Sequence, residues 1–248
     1  MTADIEALGS QGCITTGIIT ALTVQDTRDM MAIHSVDPQV IIQQARAVLE
    51  DIPISAFKLG LLGSEDNVAA IHSILVDYPD IPMVFDPVLV SGGSGERLVD
   101  LDMLSAILNL IVPQCSVITP NTAEALALVP EADNAHSAAA ALLEYGAEYV
   151  LTTGTHDNTE NVTNILYGKR RTLHAWEWPR LGNAYHGSGC TLASSLTGAL
   201  AQGVHIEEAC MAAQRFTWLS LTAGQRVGMG QHHPNRFYWA LTENECTQ

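Results

Sequence analysis

The sequence has few basic residues, few aromatic side chains and no long uninterrupted hydrophobic run. No stretch approaches the roughly eighteen apolar residues that a membrane-spanning helix needs. Residues 1–6 have neither the basic region nor the apolar region of a signal peptide. These absences argue against an integral membrane protein and predict that the protein is cytoplasmic.

Basic residues are outnumbered by acidic ones. The chain has 11 Lys and Arg against 27 Asp and Glu, a net charge of -16. This charge repels nucleic-acid backbones and acidic membrane surfaces, and the basic cluster at 169–171 is too short to form a binding patch. We therefore predict no nucleic-acid partner and no membrane partner. The acidity does not exclude a nucleotide, which arrives with magnesium and is held by local backbone N–H groups.

Cysteines are few and widely scattered. The chain has five of them and no C-x-x-C pair. This spacing favours neither a disulfide framework nor a cysteine zinc site, so reduced thiols are expected. The five are Cys13, Cys115, Cys190, Cys210 and Cys246.

Apolar runs rich in β-branched residues alternate with segments that carry helix start signals. This alternation predicts an α/β fold with a mostly parallel sheet and helices on both faces, in one domain spanning 1–248. The predicted buried strands are Ile14–Val24, Ala56–Leu59, Met83–Phe85, Val117–Thr119 and Tyr149–Thr152. The predicted helices are Gln39–Leu49, Glu65–Tyr78 and Leu101–Ile111. Ligands of such folds bind at the carboxyl ends of the strands.

The last third of the chain follows a different pattern. Val162–Tyr167 and Thr172–Trp178 predict a β-hairpin around Gly168 and Lys169. Long helices are predicted after it, one starting at Ser188 and one at Ile206.

The sharpest local motif is His-Gly-Ser-Gly-Cys-Thr at 186–191, directly before a helix of small residues. Gly187, Ser188 and Gly189 would expose N–H groups at the positive end of the helix dipole, where an anion or a transferring phosphoryl group can bind. The dipole would stabilise a thiolate at Cys190, which could then polarise or deprotonate a substrate hydroxyl. The alternative is a closely packed helix entry with a buried, inert cysteine, because short glycine motifs are common.

Acidic residues follow two of the predicted strands: Glu124 follows one and Asp86 follows another. Asn121 and Glu124 begin a helix after one strand, where they could bind phosphates and magnesium or simply cap the helix. Asp86 ends another strand, either as a cation ligand or as a turn residue before Pro87. The loop at 91–95 could close over a ligand or be a plain connection.

Gln25 ends the first predicted strand. Its amide could pair with a ring nitrogen and an exocyclic amine of a heterocycle, or lie in a solvated turn. The remaining histidines show no spacing typical of a metal site.

Taken together and in this order, the motifs resemble the ribokinase superfamily, and within it the hydroxymethylpyrimidine and phosphomethylpyrimidine kinases of thiamin biosynthesis. Cys190 distinguishes the pyrimidine kinases, which have cysteine at this position, from most other ribokinase relatives, which have aspartate. The residues that carry the resemblance lie at 3–9, 12–13, 19–27, 58–62, 86–88, 119–124, 186–192 and 228–234.

The resemblance implies a ribokinase-like three-layer α/β/α fold and the transfer of a phosphoryl group from ATP, with Mg2+, to the hydroxymethylpyrimidine, to its monophosphate, or to both. Cys190 is implied as the catalytic residue. Further implied roles are an anion hole at Gly187, Ser188 and Gly189, pyrimidine binding by Gln25, Leu61 and Val88, magnesium binding by Asp86 and Glu124, and nucleotide binding by Asn121, Thr153 and Gly154.

The chain departs from the family pattern at three places. It begins inside the helix that follows the family's first strand, so we expect that strand and its glycine turn to be missing from the sheet and the site. The family's Lys-Gly-Gly-His is Thr-Gly-Thr-His at 153–156. The loop after Asp86-Pro87-Val88 has glycine at a position where the family often has lysine. Two lost lysines would weaken charge neutralisation in phosphoryl transfer.

Two other functions fit the same motifs. One is a pyridoxal or pyridoxine kinase of the same superfamily, and the other is a non-catalytic protein that binds a pyrimidine or a nucleotide. The resemblance also implies a homodimer, because relatives cover each other's site with strands.

Overall fold

We analysed a computed structural model, which describes residues 1–89, 99–155, 159–169 and 171–240. The predicted loop at 91–95 and His156 lie outside these residues. The described helices are α1 (Thr2–Ser10), α2 (Pro38–Leu49), α3 (Glu65–Leu75), α4 (Leu101–Ala106), α5 (Thr122–Leu128), α6 (Ala135–Glu144), α7 (Ser188–Ala201) and α8 (Ile206–Thr222). The strands are β1 (Ala21–Gln25), β2 (Met30–Ser35), β3 (Phe57–Leu59), β4 (Met83–Phe85), β5 (Val117–Ile118), β6 (Tyr149–Thr153), β7 (Asn161–Gly168) and β8 (Arg171–Pro179).

The main sheet has six strands in the order β3-β4-β5-β6-β7-β8. The pairs from β3 to β6 are parallel, whereas β6, β7 and β8 pair antiparallel. Of the described strands, only β4 lies beside β3, so one edge of β3 is open in this sheet. The prediction of a mostly parallel sheet that ends in a hairpin is confirmed.

Helices cover both faces of this sheet. In β4, Met83 and Phe85 point into one hydrophobic core and Val84 points into the other, as the alternation of strand side chains requires. The first core includes residues of α2 to α6, and the second includes residues of α7 and α8. The predicted three-layer α/β/α architecture is therefore confirmed.

The helix start signals act as predicted. Asp37 accepts a hydrogen bond from the Gln39 N–H at 2.8 Å, and Ser64 accepts one from the Asn67 N–H at 3.3 Å. Asp100 does the same for Met103 at 2.9 Å. The helix predicted at Leu101–Ile111 is α-helical only as far as Ala106. The chain then forms a π-helical turn at Ile107–Ile111.

The prediction of one long buried strand at Ile14–Val24 is wrong. Only Ala21–Gln25 forms a strand, and it pairs with β2 in a separate two-stranded antiparallel sheet. Ile14 is 95% exposed. The β-branched pattern is present in this segment, but a buried strand also needs neighbours on both sides, which the sequence pattern does not report.

No helix in the described part of the chain combines the length and the apolar character needed to cross a membrane.

Candidate active site

The carboxyl ends of the parallel strands and the start of α7 face one large cleft. Its volume is about 2200 Å³, and its lining includes all three residues of β3. It brings together almost all of the predicted site residues from six separate parts of the chain. Those lining it are Gln25, Leu61, Asp86, Val88, Asn121, Glu124, Thr153, Gly187, Ser188, Gly189 and Cys190.

Gly154 does not line the cleft. It is buried, and its N–H donates to the Thr163 carbonyl at 3.0 Å and to Asn164 Oδ1 at 3.3 Å. Its neighbour Thr153 does line the cleft, at the end of β6. The backbone N–H of Gly154 is thus already satisfied by protein acceptors.

The turn before α7 has the backbone that the glycine motif predicts. Gly187 is the N-cap and has φ 76°, in the left-handed region that favours glycine. A Cβ on Gly189 would lie 3.6 Å from Asp86 Oδ1, so the first turn of α7 directly faces the end of β4. This geometry places the unpaired N–H groups of the helix start beside an acidic side chain.

The prediction of a stabilised thiolate at Cys190 is wrong. Burial and then the negative charge of Asp86 raise the pKa of the thiol to about 12, and a hydrogen bond to Asp86 adds to the shift. Lys58 opposes this effect but does not overcome it. In the free protein, Cys190 is therefore a neutral thiol at pH 7 beside the carboxylate of Asp86.

A buried ion-pair network lies next to this thiol. Lys58 Nζ is 2.9 Å from Asp4 Oδ1 and 3.7 Å from Asp86 Oδ2. Ser194 Oγ donates to Asp4 Oδ1 at 2.6 Å. Burial disfavours the charged amine, but the carboxylates of Asp86 and Asp4 hold the proton on it, and the pKa of Lys58 is raised above its usual range. Lys58 thus supplies a permanent positive charge inside the site.

Asn121 and Glu124 form a capping box at the start of α5. Asn121 Oδ1 accepts from the Glu124 N–H at 2.9 Å, and Glu124 Oε2 accepts from the Asn121 N–H at 2.9 Å. The capping interpretation is therefore confirmed, and both residues also line the cleft. Burial and the nearby Asp86 raise the pKa of Glu124 to about 8.

The donor set fits a cation between Asp86 and Glu124. Asp86 Oδ2 is buried and has no hydrogen-bond partner among the described residues. Burial and the charge of Asp86 both disfavour an ionised Glu124, and a divalent cation bound to the two carboxylates would offset both effects. The described residues contain no group of three or more acidic, histidine or cysteine ligands, so water and phosphate oxygens would complete the shell, as magnesium usually requires.

Gln25 lies at the end of β1 and is exposed to the cleft. Its side-chain amide has no hydrogen-bond partner among the described residues, which leaves both polar groups available for a ligand. Leu61 and Val88 are half-buried and supply apolar surface to the same cleft.

Sequence reasoning missed three charged residues that organise the site: Asp4, Lys58 and Arg236. Asp4 and Lys58 lie within motif runs, and a charged residue inside a predicted buried strand could have singled out Lys58. Arg236 is 5% exposed and binds the turn before α7, but no local motif marks it.

The fold and the site together define a ribokinase-like small-molecule kinase, with a glycine turn at a helix start facing acidic strand ends. The chain belongs to the phosphomethylpyrimidine kinase family, whose model matches residues 1–235. The family resemblance that the motifs indicate is confirmed, and so is the predicted phosphotransferase activity.

Two curated relatives illustrate the match. The chain is 30% identical over 246 residues to the hydroxymethylpyrimidine/phosphomethylpyrimidine kinase of Rhizobium meliloti, covering 95% of this chain and 92% of that one. It is 34% identical over 237 residues to the thiamine biosynthesis bifunctional protein ThiED of Geobacter sulfurreducens. That match covers 94% of this chain but only 48% of the relative, so the chain spans about half of the bifunctional protein.

Solved structures share the fold. The Clostridium difficile phosphomethylpyrimidine kinase has a TM-score of 0.74 and 29% identity, covering 87% of this chain and 90% of that one. The Bacillus subtilis pyridoxal kinase in an ADP complex has a TM-score of 0.86 and 22% identity, covering 98% and 93%. At 22% identity, the match to the pyridoxal kinase shows a shared fold only.

Proposed function

We propose that this protein uses ATP to phosphorylate 4-amino-5-hydroxymethyl-2-methylpyrimidine, its monophosphate, or both in turn. The observation that carries the proposal is the position of Cys190. Its thiol stands at the start of α7, beside Asp86 and in the same cleft as Gln25. A phosphoryl group at the helix start and a pyrimidine at Gln25 would share this cleft.

The proposed roles follow from these positions. Gln25 pairs with the aminopyrimidine edge, while Leu61 and Val88 contact the ring. The N–H groups of Gly187, Ser188, Gly189 and Cys190 bind the charge that develops on the transferring phosphoryl group. Asn121 and Thr153 lie on the nucleotide side.

Cys190 acts in this proposal as a neutral thiol. It accepts the proton of the substrate hydroxyl as its own proton passes to Asp86, so that no free thiolate is required. Lys58 keeps the local charge balanced as the hydroxyl oxygen becomes nucleophilic. Glu124 and Asp86 Oδ2, which has no hydrogen-bond partner among the described residues, would hold Mg2+, which when bound neutralises charge on the phosphates. Asp86 Oδ1, which faces the start of α7, is then the oxygen that takes the proton.

Lys58 also bears on the missing lysines. The two positions at which the family pattern has lysine are not lysine here. Lys58 is a buried positive charge 3.7 Å from Asp86, on the acceptor side of the cleft. Its charge would reduce the net negative charge that the phosphates meet.

The test is an ATP-consumption assay with magnesium and purified protein. Hydroxymethylpyrimidine, its monophosphate and pyridoxal are offered separately, with Cys190→Ala as the matched control. We expect turnover with at least one pyrimidine, little with pyridoxal and a large loss in the variant. Turnover with pyridoxal alone would replace the proposal by a pyridoxal kinase, and nucleotide binding without any turnover would favour a binding protein. Gel filtration of the same sample tests the predicted homodimer, and cell fractionation tests the predicted cytoplasmic location.

A further inference from the structure

Arg236 joins three distant parts of the chain next to the glycine turn. Its Nε donates to Thr191 Oγ1 at 2.8 Å and its Nη1 to Glu6 Oε2 at 2.8 Å. Its Nη2 lies 3.5 Å from the Gly187 carbonyl oxygen. The side chain is 4% exposed, so these contacts are made away from bulk water.

The Gly187 carbonyl receives more donors than an ordinary helix-capping carbonyl. The Thr191 N–H donates to it at 3.0 Å, and the Thr191 hydroxyl donates to it at 2.7 Å. Arg236 Nη2 approaches the same oxygen. Thr191 Oγ1 thus links the guanidinium to the carbonyl, because it accepts from Arg236 and donates to Gly187.

Fixing this carbonyl also fixes the next N–H. The carbonyl of Gly187 and the N–H of Ser188 belong to one trans peptide, so they point in opposite directions. The Ser188 N–H has no acceptor among the described residues and, as the first N–H of α7, points away from the helix, and Ser188 lines the cleft. A positive charge behind the carbonyl orients and polarises that N–H toward an anion in front of it.

Gly187 is required for this arrangement on steric grounds as well. A Cβ at position 187 would lie 3.1 Å from Arg236 Nη2, and φ is 76° there. The guanidinium therefore packs against bare backbone. Glu6 pairs with Arg236 but is itself partly exposed, at 37%, so solvent screens the acid more than the arginine.

We infer that Arg236 is a positioning residue that holds the Gly187–Ser188 peptide with its N–H aimed at the transferring phosphoryl group. This inference rests on the proposed function of the turn as an anion site. Arg236 does not touch substrate in this role, since it acts through Thr191 and the Gly187 carbonyl.

The test compares Arg236→Met and Arg236→Lys with Arg46→Met. Arg46 is an exposed arginine that pairs with Asp77 at 3.6 Å, far along α2, and serves as the matched control. Affinities for ADP and for the non-hydrolysable analogue β,γ-methylene-ATP are measured by calorimetry with magnesium. The turn binds the last phosphoryl group, so the ratio of the two affinities reports on the turn and not on the fold.

We expect Arg236→Met to weaken the triphosphate analogue about tenfold and ADP less than twofold, with kcat reduced by about 10- to 100-fold. Arg236→Lys should recover part of the loss, since lysine keeps the charge but not the fork of donors. Equal weakening of both nucleotides, or no change in either, would overturn the inference. So would a lower melting temperature with an unchanged affinity ratio.

Thr191→Val provides a second variant if Arg236→Met does not fold. It removes the hydroxyl that links Arg236 to Gly187 and keeps the side-chain shape. It should change the affinity ratio in the same direction by a smaller factor. Turnover of the wild-type protein tests the proposed function separately, because the affinity ratio needs no reaction.

Discussion

The turn before α7 and the β1–β2 hairpin both line the cleft, but their polar groups are held in place to different degrees. In the turn, Arg236 and Thr191 fix the Gly187 carbonyl. In the hairpin, Gln25 is exposed and its amide has no partner among the described residues. The hairpin contacts the C-terminal segment at its tip, where the Gln231 N–H donates to the Thr27 carbonyl at 2.8 Å.

This difference separates two tasks. The phosphate side of the cleft is pre-organised, so its donors are in place before the ligand arrives, which is what stabilisation of a transition state requires. The pyrimidine side makes its polar contacts only when a ligand binds, and pays the ordering cost at that point. Changes in the turn should therefore alter turnover and stability, whereas changes in the hairpin should alter substrate affinity.

The largest expected effect is on turnover at Cys190. Cys190→Ala should lower kcat by about 10²- to 10⁴-fold, because the thiol that passes the hydroxyl proton toward Asp86 is lost. The KM for ATP should change less than threefold, because the N–H groups of the turn remain. Steady-state kinetics with both substrates varied measure the two constants. An equal loss of ATP affinity would show that Cys190 shapes the nucleotide site instead.

Lys58→Met should cause the largest loss of stability. It leaves the buried carboxylate of Asp86 without its cation and leaves Asp4 with only the Met1 ammonium, 3.0 Å from Asp4 Oδ2, which costs about 3–5 kcal/mol of unfolding free energy. Urea denaturation measures this, and Lys169→Met, at an exposed lysine in the β7–β8 turn, is the control. Adding Asp4→Asn to Lys58→Met should restore part of the loss. A double variant as unstable as the single one would contradict the ion-pair explanation.

Gln25→Leu should weaken pyrimidine binding by about 10- to 100-fold, since the polar edge of the ring would lose its hydrogen-bond partner. The KM for ATP should stay within about twofold and stability should be nearly unchanged, because Gln25 is exposed and its amide has no hydrogen-bond partner among the described residues. Substrate titration by calorimetry measures the change, with Gln39→Leu on the exposed face of α2 as the control. Unchanged substrate affinity would remove Gln25 from the site.

Much of the fold could be predicted from the sequence because its signals are local. Asp37, Ser64 and Asp100 each cap the helix that follows, and the run at Met83–Phe85 is short, apolar and bounded by turns. The segment at Ile14–Val24 gave the same apolar signal, but among the described strands it has a neighbour only from Ala21 onward. Burial of a strand depends on its partners, which no local pattern contains.

The same distinction holds for the site. The motif residues meet because the carboxyl ends of parallel strands lie at one edge of a sheet. The protonation of Cys190 could not be predicted, because it depends on how deeply the thiol is buried and on how close Asp86 comes in the folded chain. Arg236 was missed since its partners lie 45 residues away at Thr191 and 230 residues away at Glu6.

The smallest expected effect is on the pH dependence of stability at Glu124. The pKa of its carboxyl is about 8 in the folded chain, against an ordinary value of 4.5. A raised pKa means that the folded state favours the neutral acid. The stabilising contribution is therefore complete below pH 4.5 and is lost as the pH rises through 8.

Glu124→Gln keeps a neutral side chain at every pH and can still accept the Asn121 N–H. Without magnesium, its unfolding free energy should exceed that of the wild type by a margin that grows to about 1–2 kcal/mol between pH 5 and pH 9. Glu65→Gln, at an exposed position in the first turn of α3, should run parallel to the wild type. If Asp86 and Glu124 hold magnesium, adding it should close the gap at high pH, because the cation stabilises the ionised pair that the variant lacks. A gap that magnesium leaves unchanged would count against a metal at these two acids, and parallel curves without magnesium would show that Glu124 is not forced toward its neutral form by Asp86.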